Sequence, residues 1–314
     1  MNAVELSGVT KRFGTQTAVN NLDLAVPEGS IYGFIGPNGS GKTTTIRMIL
    51  RIFHPDEGIV SVLGAPTGAA ADTRLGYLPE ERGLYKRMTV LDVCRYYARL
   101  KDHYNCDPDI YDWLDRLDAR EWAKKRIDAL SKGMAQKVQF ITSVVARPKL
   151  LILDEPFSGL DPVNLEVLRD AVLEMRNRGT TVIFSTHDMS VAERLCDTIF
   201  MIFKGNKVLD GSVDSIKQNY SQNQVALKLA DEQSVPSYDI VSSSRIQDDH
   251  MLVNLREGND PQELLHKLLA DGHQIHRFEI ARPSLHDIFV SIAKPHEHSD
   301  ESNSENQSAS GASA

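Results

Sequence analysis

The sequence predicts a layered α/β domain with a central, mainly parallel sheet, followed by a small α+β domain. From residue 1 to about residue 217, apolar segments typical of strands alternate with longer segments of helical period. Four of the strand-like segments are almost continuously apolar, which is typical of parallel strands covered on both faces. Between about residues 81 and 147, apolar residues recur at three- and four-residue spacing, which predicts a helical insert.

Composition and charge restrict the class of protein. The 314 residues are 41% hydrophobic and 25% charged, as in ordinary globular proteins, and the length suggests two domains. The 35 Lys and Arg against 43 Asp and Glu give a net charge of −8, which argues against nucleic acid as the main partner. The longest apolar runs, such as LLIL and TIFMIF, are far shorter than the ~20 residues that cross a bilayer, and the N-terminus lacks a signal-peptide pattern. We therefore expect a cytoplasmic protein.

The elements of the first domain can be assigned in chain order. The N-terminal segment MNAVELSGVTKRFG is charged and reads as a strand. Further candidate strands are AVNNLDLAV, SIYGFIG, LLILDE, TVIFST and TIFMIFKG, of which the last four should form the central sheet. The helical insert carries the candidate helices TVLDVCRYYARLK, PDIYDWLDRLD and AQKVQFITSVVA.

The second domain is predicted over residues 218–294, after the polar stretch KQNYSQNQ. Its candidate strands are VALKLA, HMLVNL and QIHRFEIA, and its candidate helices are PQELLHKLLADG and PSLHDIFVSIAK. Ser284 and Asp287 fit a capping box at the start of the last helix. Residues 295–314 contain no apolar residue larger than Ala, which predicts a disordered tail.

The strongest local signal is a phosphate-binding loop. Gly36, Gly41, Lys42 and Thr43 satisfy the pattern GxxxxGK[ST] between an apolar strand and an amphipathic helix. Glycines let backbone N–H groups converge on phosphate oxygens, and the helix N-terminus adds partial positive charge. Lysine at this position reaches the β- and γ-phosphates, and the Thr43 hydroxyl is a ligand for Mg²⁺.

A pair of carboxylates ends the strand LLILDE. An unpaired charge at the end of a buried strand is costly, so Asp154 and Glu155 call for an explanation. Beside a phosphate loop, Asp154 could hold Mg²⁺ and its waters while Glu155 orients or deprotonates the attacking water. Taken alone, the two acids could equally mark a strand that ends in solvent.

Four segments in this order resemble the ATP-binding subunits of ABC transporters. They are GPNGSGKTT, LSKGMAQK, LLILDEPFSGLD and STHD, and with their spacing they cover about residues 3–217. The resemblance implies a P-loop NTPase of ABC type, with a central mainly parallel sheet, an antiparallel β subdomain and a helical insert. It also implies ATP and Mg²⁺ as cofactors. Two such subunits, identical or sister chains, would pair head to tail and enclose two ATP molecules.

The resemblance also implies roles for individual residues. Glu155 and His187 would be catalytic, Thr43, Asp154 and Glu80 would serve the metal, and Asp161 would link the two sites of the dimer. ATP would be bound by Phe13, which would stack on adenine, by Gly36, Asn38, Gly39, Ser40, Gly41, Lys42, Thr43 and Thr44, and by Ser131 and Gly133 of the opposite subunit. From the residues alone, simpler interpretations stay open. His187 could be a core histidine, Asp161 a helix start and Phe13 a packing residue.

The sequence departs from the usual family pattern at two places. The signature Leu-Ser-Gly-Gly-Gln is here Leu-Ser-Lys-Gly-Met, so Lys132 and Met134 replace a glycine and a glutamine. Glu80 stands where a glutamine normally senses Mg²⁺ and the permease. Glu80 either binds Mg²⁺ more directly or does not reproduce the role of the glutamine, and the sequence does not decide between these alternatives.

The segments LPEERGLY, LSKGM and PSLHDIFV resemble a narrower branch of the family. That branch comprises separately encoded ATPases of bacterial exporters, of the sodium-extrusion and antibiotic-resistance types, with a C-terminal accessory domain. The resemblance implies a transmembrane permease as partner and a peripheral position on the inner face of the cell membrane. Leu84, Tyr85 and Met88 would supply apolar contacts to the permease, although from the residues alone they are equally suited to packing at the start of a helix. The alternative is a soluble ABC-type ATPase that acts on ribosomes, DNA or an assembly process.

Overall fold

The computed structural model describes residues 1–66, 73–81, 83–220, 224–230, 238–247, 249–256, 258–281 and 283–293. The chain separates into two compact units, Met1–Ser212 and Val213–Ala314. The tail predicted for residues 295–314 lies outside the described residues.

The first unit contains two sheets. Its strands are β1 (Asn2–Phe13), β2 (Gln16–Pro27), β3 (Ile31–Ile35), β4 (Glu57–Val62), β5 (Ala65–Pro66), β6 (Leu75–Leu78), β7 (Leu150–Asp154), β8 (Thr181–Thr186), β9 (Thr198–Phe203) and β10 (Asn206–Ser212). The central sheet has the order β10-β9-β3-β8-β7-β6, in which only β10 is antiparallel to its neighbour. The order β2-β1-β4-β5 forms the antiparallel sheet. This architecture confirms the predicted fold class.

The helices of the first unit follow the predicted periodicity. They are α1 (Lys42–Ile49), α2 (Val90–Arg99), α3 (Asp107–Arg116), α4 (Lys132–Val144), α5 (Pro162–Asn177) and α6 (Met189–Leu195), with short 3₁₀ turns at Arg120–Trp122 and Ile127–Ala129. Helices α2, α3 and α4 form the insert between β6 and β7. The insert contributes many members of one hydrophobic core, which also includes residues of the central sheet.

Two cores cover the two faces of the central sheet, and β7 shows how one strand serves both. Leu151 and Leu153 belong to the core shared with the helical insert, whereas Leu150 and Ile152 belong to the core shared with the antiparallel sheet. All five residues of β7 are buried. Because successive side chains of a strand point to opposite faces, a strand covered on both sides needs apolar residues throughout.

The second unit is a four-stranded antiparallel sheet with helices. Its elements are α7 (Val213–Tyr220), β11 (Gln224–Leu229), β12 (Val241–Gln247), β13 (His250–Leu255), α8 (Pro261–Ala270), β14 (Ile275–Ile280) and a last helix, α9, over residues 285–293. The strand order is β12-β13-β11-β14. Leu264 and Leu268 of α8 pack in one core with Val225 and Val253 of the sheet. Arg245 of β12 forms a 2.9 Å ion pair with Asp287 of α9.

Some strands were not predicted from the sequence. β12 contains three consecutive serines, and a polar run of this kind gives no alternating apolar pattern. β6 is only four residues long and includes a glycine. β10 is a partly exposed edge strand with a mixed composition. In each case the neighbouring strands, rather than the segment's own pattern, supply the stabilising contacts.

Candidate functional site

The loop between β3 and α1 requires glycine at specific positions. Gly36, Gly39 and Gly41 have φ values of 154°, 75° and 117°. A Cβ atom at position 36 would lie 2.2 Å from the carbonyl oxygen of Ile202, and one at position 41 would lie 2.6 Å from that of Ala18. Larger residues would therefore be both strained and blocked at these two positions.

The start of α1 leaves donors available to an anion. Its N-cap residue is Gly41, which offers no side chain to the first backbone N–H groups, and no acidic residue lies in the first turn. The hydroxyl of Ser40 is buried and has no hydrogen-bond partner in the part of the chain that the structure describes. A buried hydroxyl without a partner next to free N–H groups fits an oxyanion such as a phosphate.

Lys42 lies inside the loop and faces Glu155. Its Nζ donates to the carbonyl oxygens of Gly36 at 2.6 Å and Pro37 at 3.2 Å, and it lies 3.9 Å from Glu155 Oε1. Burial lowers the pKa of Lys42, whereas the nearby carboxylates of Glu155, Asp154 and Glu80 act in the opposite direction. The lysine is thus a poorly solvated cation, and a bound phosphate would stabilise its charge more directly than the surrounding carboxylates do.

The carboxylates at the end of β7 are buried and held by one serine. Asp154 pairs in register with Ser185 of β8. The Ser185 hydroxyl donates to Asp154 Oδ1 and accepts a 3.0 Å hydrogen bond from the backbone N–H of Glu155. Glu155 has a φ of 49°, a left-handed conformation that turns the chain away from the strand direction. The two adjacent acids therefore have separate environments despite their sequence position.

His187 follows β8 and contacts Glu155. Its Nδ1 lies 3.1 Å from both carboxylate oxygens of Glu155. The His187 side chain is 54% exposed, so it is not a core histidine. The structure thus brings Lys42, Glu155 and His187 to one place, where a cation, a carboxylate and an imidazole can act on the same group.

Two other predicted residues begin helices whose N-terminal ends approach each other. Ser131 is the exposed N-cap of α4, and its Oγ accepts from the N–H of Met134 at 3.3 Å. Asp161 is the N-cap of α5, where hydrogen bonds from Asn164 lower the pKa of Asp161. A Cβ on Gly133 would lie 3.5 Å from the Asn164 side-chain nitrogen. The described contacts of Ser131 do not include the phosphate loop of its own chain.

Phe13 and Glu80 are both exposed. Phe13 is 46% exposed and makes an edge contact with Phe53 at 5.4 Å between ring centroids. Glu80 is exposed and shares a cavity of about 170 Å³ with Glu155. Gln139 of α4 holds the Glu80 segment by donating to the carbonyl oxygens of Pro79 at 3.3 Å and of residue 81 at 3.2 Å.

The other predicted ligand residues all belong to the loop and the first turn of α1. Asn38 and Gly39 are exposed at the loop, and Thr43 and Thr44 are half-buried in α1. Ser185 was not predicted as a site residue. It is the first residue of the segment STHD, to which we assigned no role at this position, and the register of β7 and β8 reveals its contact with Asp154.

Comparison with known proteins identifies two families along the chain. Residues 19–158 match the ABC transporter family, and residues 211–293 match the C-terminal domain of DrrA1-3-like ATP-binding proteins. Among the described helices, none combines the length and apolar character needed to span a membrane.

Several relatives match most of the chain. The ABC transporter ATP-binding protein YhaQ of Bacillus subtilis is 40% identical over 285 residues, which is 90% of this chain and 95% of the relative. The daunorubicin/doxorubicin resistance ATP-binding protein DrrA of Streptomyces peucetius is 30% identical, with 92% of both chains covered. The Nod factor export ATP-binding protein I of Rhizobium sp. strain N33 is 33% identical, over 71% of this chain and 75% of that protein.

Solved structures agree with the fold. The ATP-binding subunit of an ABC transporter superposes with a TM-score of 0.63 at 27% identity, over 69% of this chain and 93% of the other. A dimeric bacterial ABC transporter cassette superposes with a TM-score of 0.61 at 23% identity, over 67% of this chain and 98% of the other, and supports the fold alone. From these matches and from the phosphate loop with its facing carboxylate, the chain belongs to the ATP-binding subunits of the ABC transporter family.

Proposed function

We propose that this chain binds Mg-ATP and hydrolyses it to drive a separately encoded membrane exporter. The convergence of Lys42, Glu155 and His187 around the phosphate loop is the observation that carries this proposal. Relatives with resistance and export in their names favour an exporter over an importer. The subunit would then work in the cytoplasm, peripheral to the inner face of the cell membrane.

The residues present fit Mg²⁺ bound together with a nucleotide. Within the described ranges, no group of three or more His, Cys, Asp or Glu side chains could hold a metal by itself. Thr43 and Asp154 offer one hydroxyl and one carboxylate, and Mg²⁺ commonly combines one or two such ligands with waters and substrate phosphates. When bound, Mg²⁺ would neutralise charge on the phosphate oxygens. Glu80 is close enough to act against the lowering of the Lys42 pKa, and it is the third candidate ligand for the metal.

Each protein group has a specific task in the proposed reaction. Lys42 and the N–H groups at the start of α1 bind the phosphates and stabilise charge on the transferred group. Glu155 accepts a proton from the attacking water, whose oxygen forms the new bond to the γ-phosphorus as the bond to the ADP oxygen breaks. His187 contacts both oxygens of Glu155 and thereby orients it. The buried hydrogen bonds of Ser185 fix the backbone that carries Asp154 and Glu155.

We also propose that two copies of the chain, or this chain and a sister subunit, complete each site. One chain carries one phosphate loop and one signature segment, and Ser131 is exposed at a helix N-terminus rather than paired with its own loop. In a head-to-tail dimer, Ser131 and Gly133 would close the nucleotide site of the opposite subunit, and Asp161 beside them would connect the two sites.

The surface of the helical insert suits a permease. Tyr85, Tyr96, Leu100 and Tyr104 are exposed to between 38% and 70%. Leu100, Tyr96 and Tyr104 line a cavity of about 490 Å³. Large exposed aromatic residues grouped in this way are typical of protein interaction sites. Leu84 and Met88, which we expected in this contact, pack partly against the core, so Tyr85 is the residue of the expected three that is most available to a partner.

Two substitutions test the roles at the nucleotide. Glu155→Gln should retain ATP binding and stop turnover, because the amide cannot accept the proton. Lys42→Ala should weaken ATP binding itself. ATP affinity is measured by equilibrium binding and turnover by phosphate release, with the exposed-residue variants Glu28→Gln and Lys149→Ala as matched controls. Undiminished hydrolysis in Glu155→Gln would contradict the proposed role of Glu155.

Isolation of the native membrane partner tests the transport role. A tagged chain with the Glu155→Gln substitution should copurify from membranes with a protein that has several long apolar segments. Recovery with ribosomes or DNA instead would support the soluble alternative.

A further inference from the structure

The cavity beside Glu155 brings together the two places where the sequence departs from the family pattern. The cavity measures about 170 Å³, and its walls include Glu80, Lys132, Glu155 and Ser158. Lys132 is the cation among the described residues that line it, and Glu80 and Glu155 are the carboxylates. The lysine that replaces a glycine and the glutamate that replaces a glutamine therefore face the same space. Because Lys132 and Glu80 carry opposite charges in one cavity, we ask whether the two residues act together.

The exposed Lys132 side chain lies against a turn of its own subunit. Its Nζ lies 3.0 Å from the point that a Cβ on Gly159 would occupy, so the ammonium group rests on the turn that joins Glu155 to Asp161. The N–H of Ser158 donates to the carbonyl oxygen of Glu155 at 3.2 Å within this turn. Among the described residues, Lys132 has no hydrogen-bond or ion-pair partner, so its charge is available to the cavity as a whole.

Nucleotide binding would change the charge balance around Glu155. Lys42 Nζ lies 3.9 Å from Glu155 Oε1 and compensates part of its charge. Once Lys42 turns to the phosphates, Glu155 and Glu80 face additional negative charge without that compensation. His187 and the Mg²⁺ proposed above would oppose part of the resulting repulsion, and a further cation near the Glu155 carboxylate would oppose more of it. Lys132 lines the cavity on the side of the Glu155–Asp161 turn and meets this need.

We propose that Lys132 is a positioning residue, which offsets the charge of Glu80 and Glu155 in its own subunit and so holds Glu155 and the following turn in place for hydrolysis. The proposal rests on the function proposed above. It gives the signature segment a second task besides contact with the opposite nucleotide, since the same helix start would organise the catalytic carboxylate of its own subunit.

The test compares single and double substitutions in the full-length protein. Lys132→Met should lower kcat about tenfold, equivalent to a charge interaction in a partly solvated site, while the Kd for ATP stays within about twofold. Lys132→Arg keeps the charge and should retain kcat within about threefold. In the Lys132→Met protein, an added Glu80→Gln substitution removes an uncompensated carboxylate. The double variant should therefore be faster than the product of the two single effects predicts. Lys149→Met, at an exposed lysine that does not line this cavity, is the control.

The outcomes separate this inference from the proposed function. Multiplicative effects in the double variant, or Lys132→Arg as slow as Lys132→Met, would overturn the role of Lys132. A loss of ATP affinity in Lys132→Met without a change in kcat would also overturn it, because a positioning residue acts on turnover. If the unsubstituted protein does not hydrolyse ATP at all, the proposed function itself fails.

Discussion

At the scale of single residues, the site depends on hydrogen bonds to its buried polar groups. Asp154 is 2% exposed and Glu155 is 9% exposed, and both depend on the hydroxyl of Ser185. The sequence revealed the two acids because carboxylates at the end of an apolar strand are conspicuous. It did not reveal Ser185, because a serine at a strand end is common and its contact depends on the register between two strands 30 residues apart.

Substitution of Ser185 should therefore affect both stability and turnover. Ser185→Ala leaves a buried carboxylate oxygen and a buried N–H without their partner, which should destabilise the protein by about 1–3 kcal/mol. Turnover should fall as well, because the Glu155 backbone is no longer fixed. Chemical denaturation and phosphate release measure the two effects. Ser143→Ala is the matched control, because the buried Ser143 hydroxyl donates only to the carbonyl oxygen of Phe140 in its own helix.

Phe13 offers a second test at this scale. We expect its half-exposed ring to stack on the adenine base, and stacking of a base on an aromatic residue contributes about 1–3 kcal/mol. Phe13→Ala should therefore weaken ATP binding by about tenfold or more, whereas Phe13→Trp should retain it. Equilibrium binding of ATP and of tripolyphosphate separates the base from the phosphates. An equal loss of affinity for both ligands would contradict adenine stacking and would favour a packing role against Phe53.

At the scale of secondary-structure elements, local end signals located some helix starts and missed others. Asp161 and Pro162 begin α5, as their residue types indicate, whereas α4 begins at Lys132 after its cap Ser131, three residues before the candidate helix that we predicted. α1 is the exception, since it begins at a glycine with no side-chain cap. This helix start belongs to the phosphate loop, where uncapped N–H groups are available to bind a ligand. The strands that the sequence did not predict are short or polar, and neighbouring strands stabilise them.

The capping box at the start of α9 gives a prediction about pH. Ser284 and Asp287 exchange hydrogen bonds, with the Asp287 N–H donating to Ser284 Oγ at 3.1 Å and the Ser284 hydroxyl donating to Asp287 at 2.7 Å. Burial alone would raise the pKa of Asp287. The hydrogen bonds of Ser284 and the ion pair with Arg245 have the larger effect, so the net pKa lies below its ordinary value. A carboxyl group whose pKa is lowered in the folded state stabilises that state above its unfolded pKa.

Asp287→Asn should accordingly lower the free energy of unfolding by about 1 kcal/mol at pH 7. The difference from the unsubstituted protein should shrink as the pH falls below about 4 and through the lowered pKa of the folded state. Urea denaturation followed by circular dichroism at several pH values measures it. Asp239→Asn, at an exposed aspartate of the same unit, controls for the loss of one acidic residue. A difference that is independent of pH would contradict the role of the ionised carboxylate.

At the scale of the whole molecule, the order of the motifs predicted the fold of the first unit. Near-continuous apolar strands, one phosphate loop and a helical insert admit few arrangements, because parallel strands require connections that cross the sheet in one direction. The sequence could not predict the environment of Lys132. Its contact with the turn at Gly159 joins two segments that are separated along the chain, and Gln136 of α4 also donates to the carbonyl oxygen of Pro156 in that turn.

The most direct test of the central claim uses two inactive chains. We propose that each nucleotide lies between Lys42 and Glu155 of one subunit and Ser131 of another. A chain with Lys42→Ala and a chain with Ser131→Arg should each hydrolyse ATP poorly alone. In an equal mixture, heterodimers regain one intact site, and phosphate release should recover to about a quarter of the unsubstituted rate if chains pair at random and each site works independently. No recovery in a mixture shown to form heterodimers, or full activity of the unsubstituted protein as a monomer at high dilution, would contradict the account.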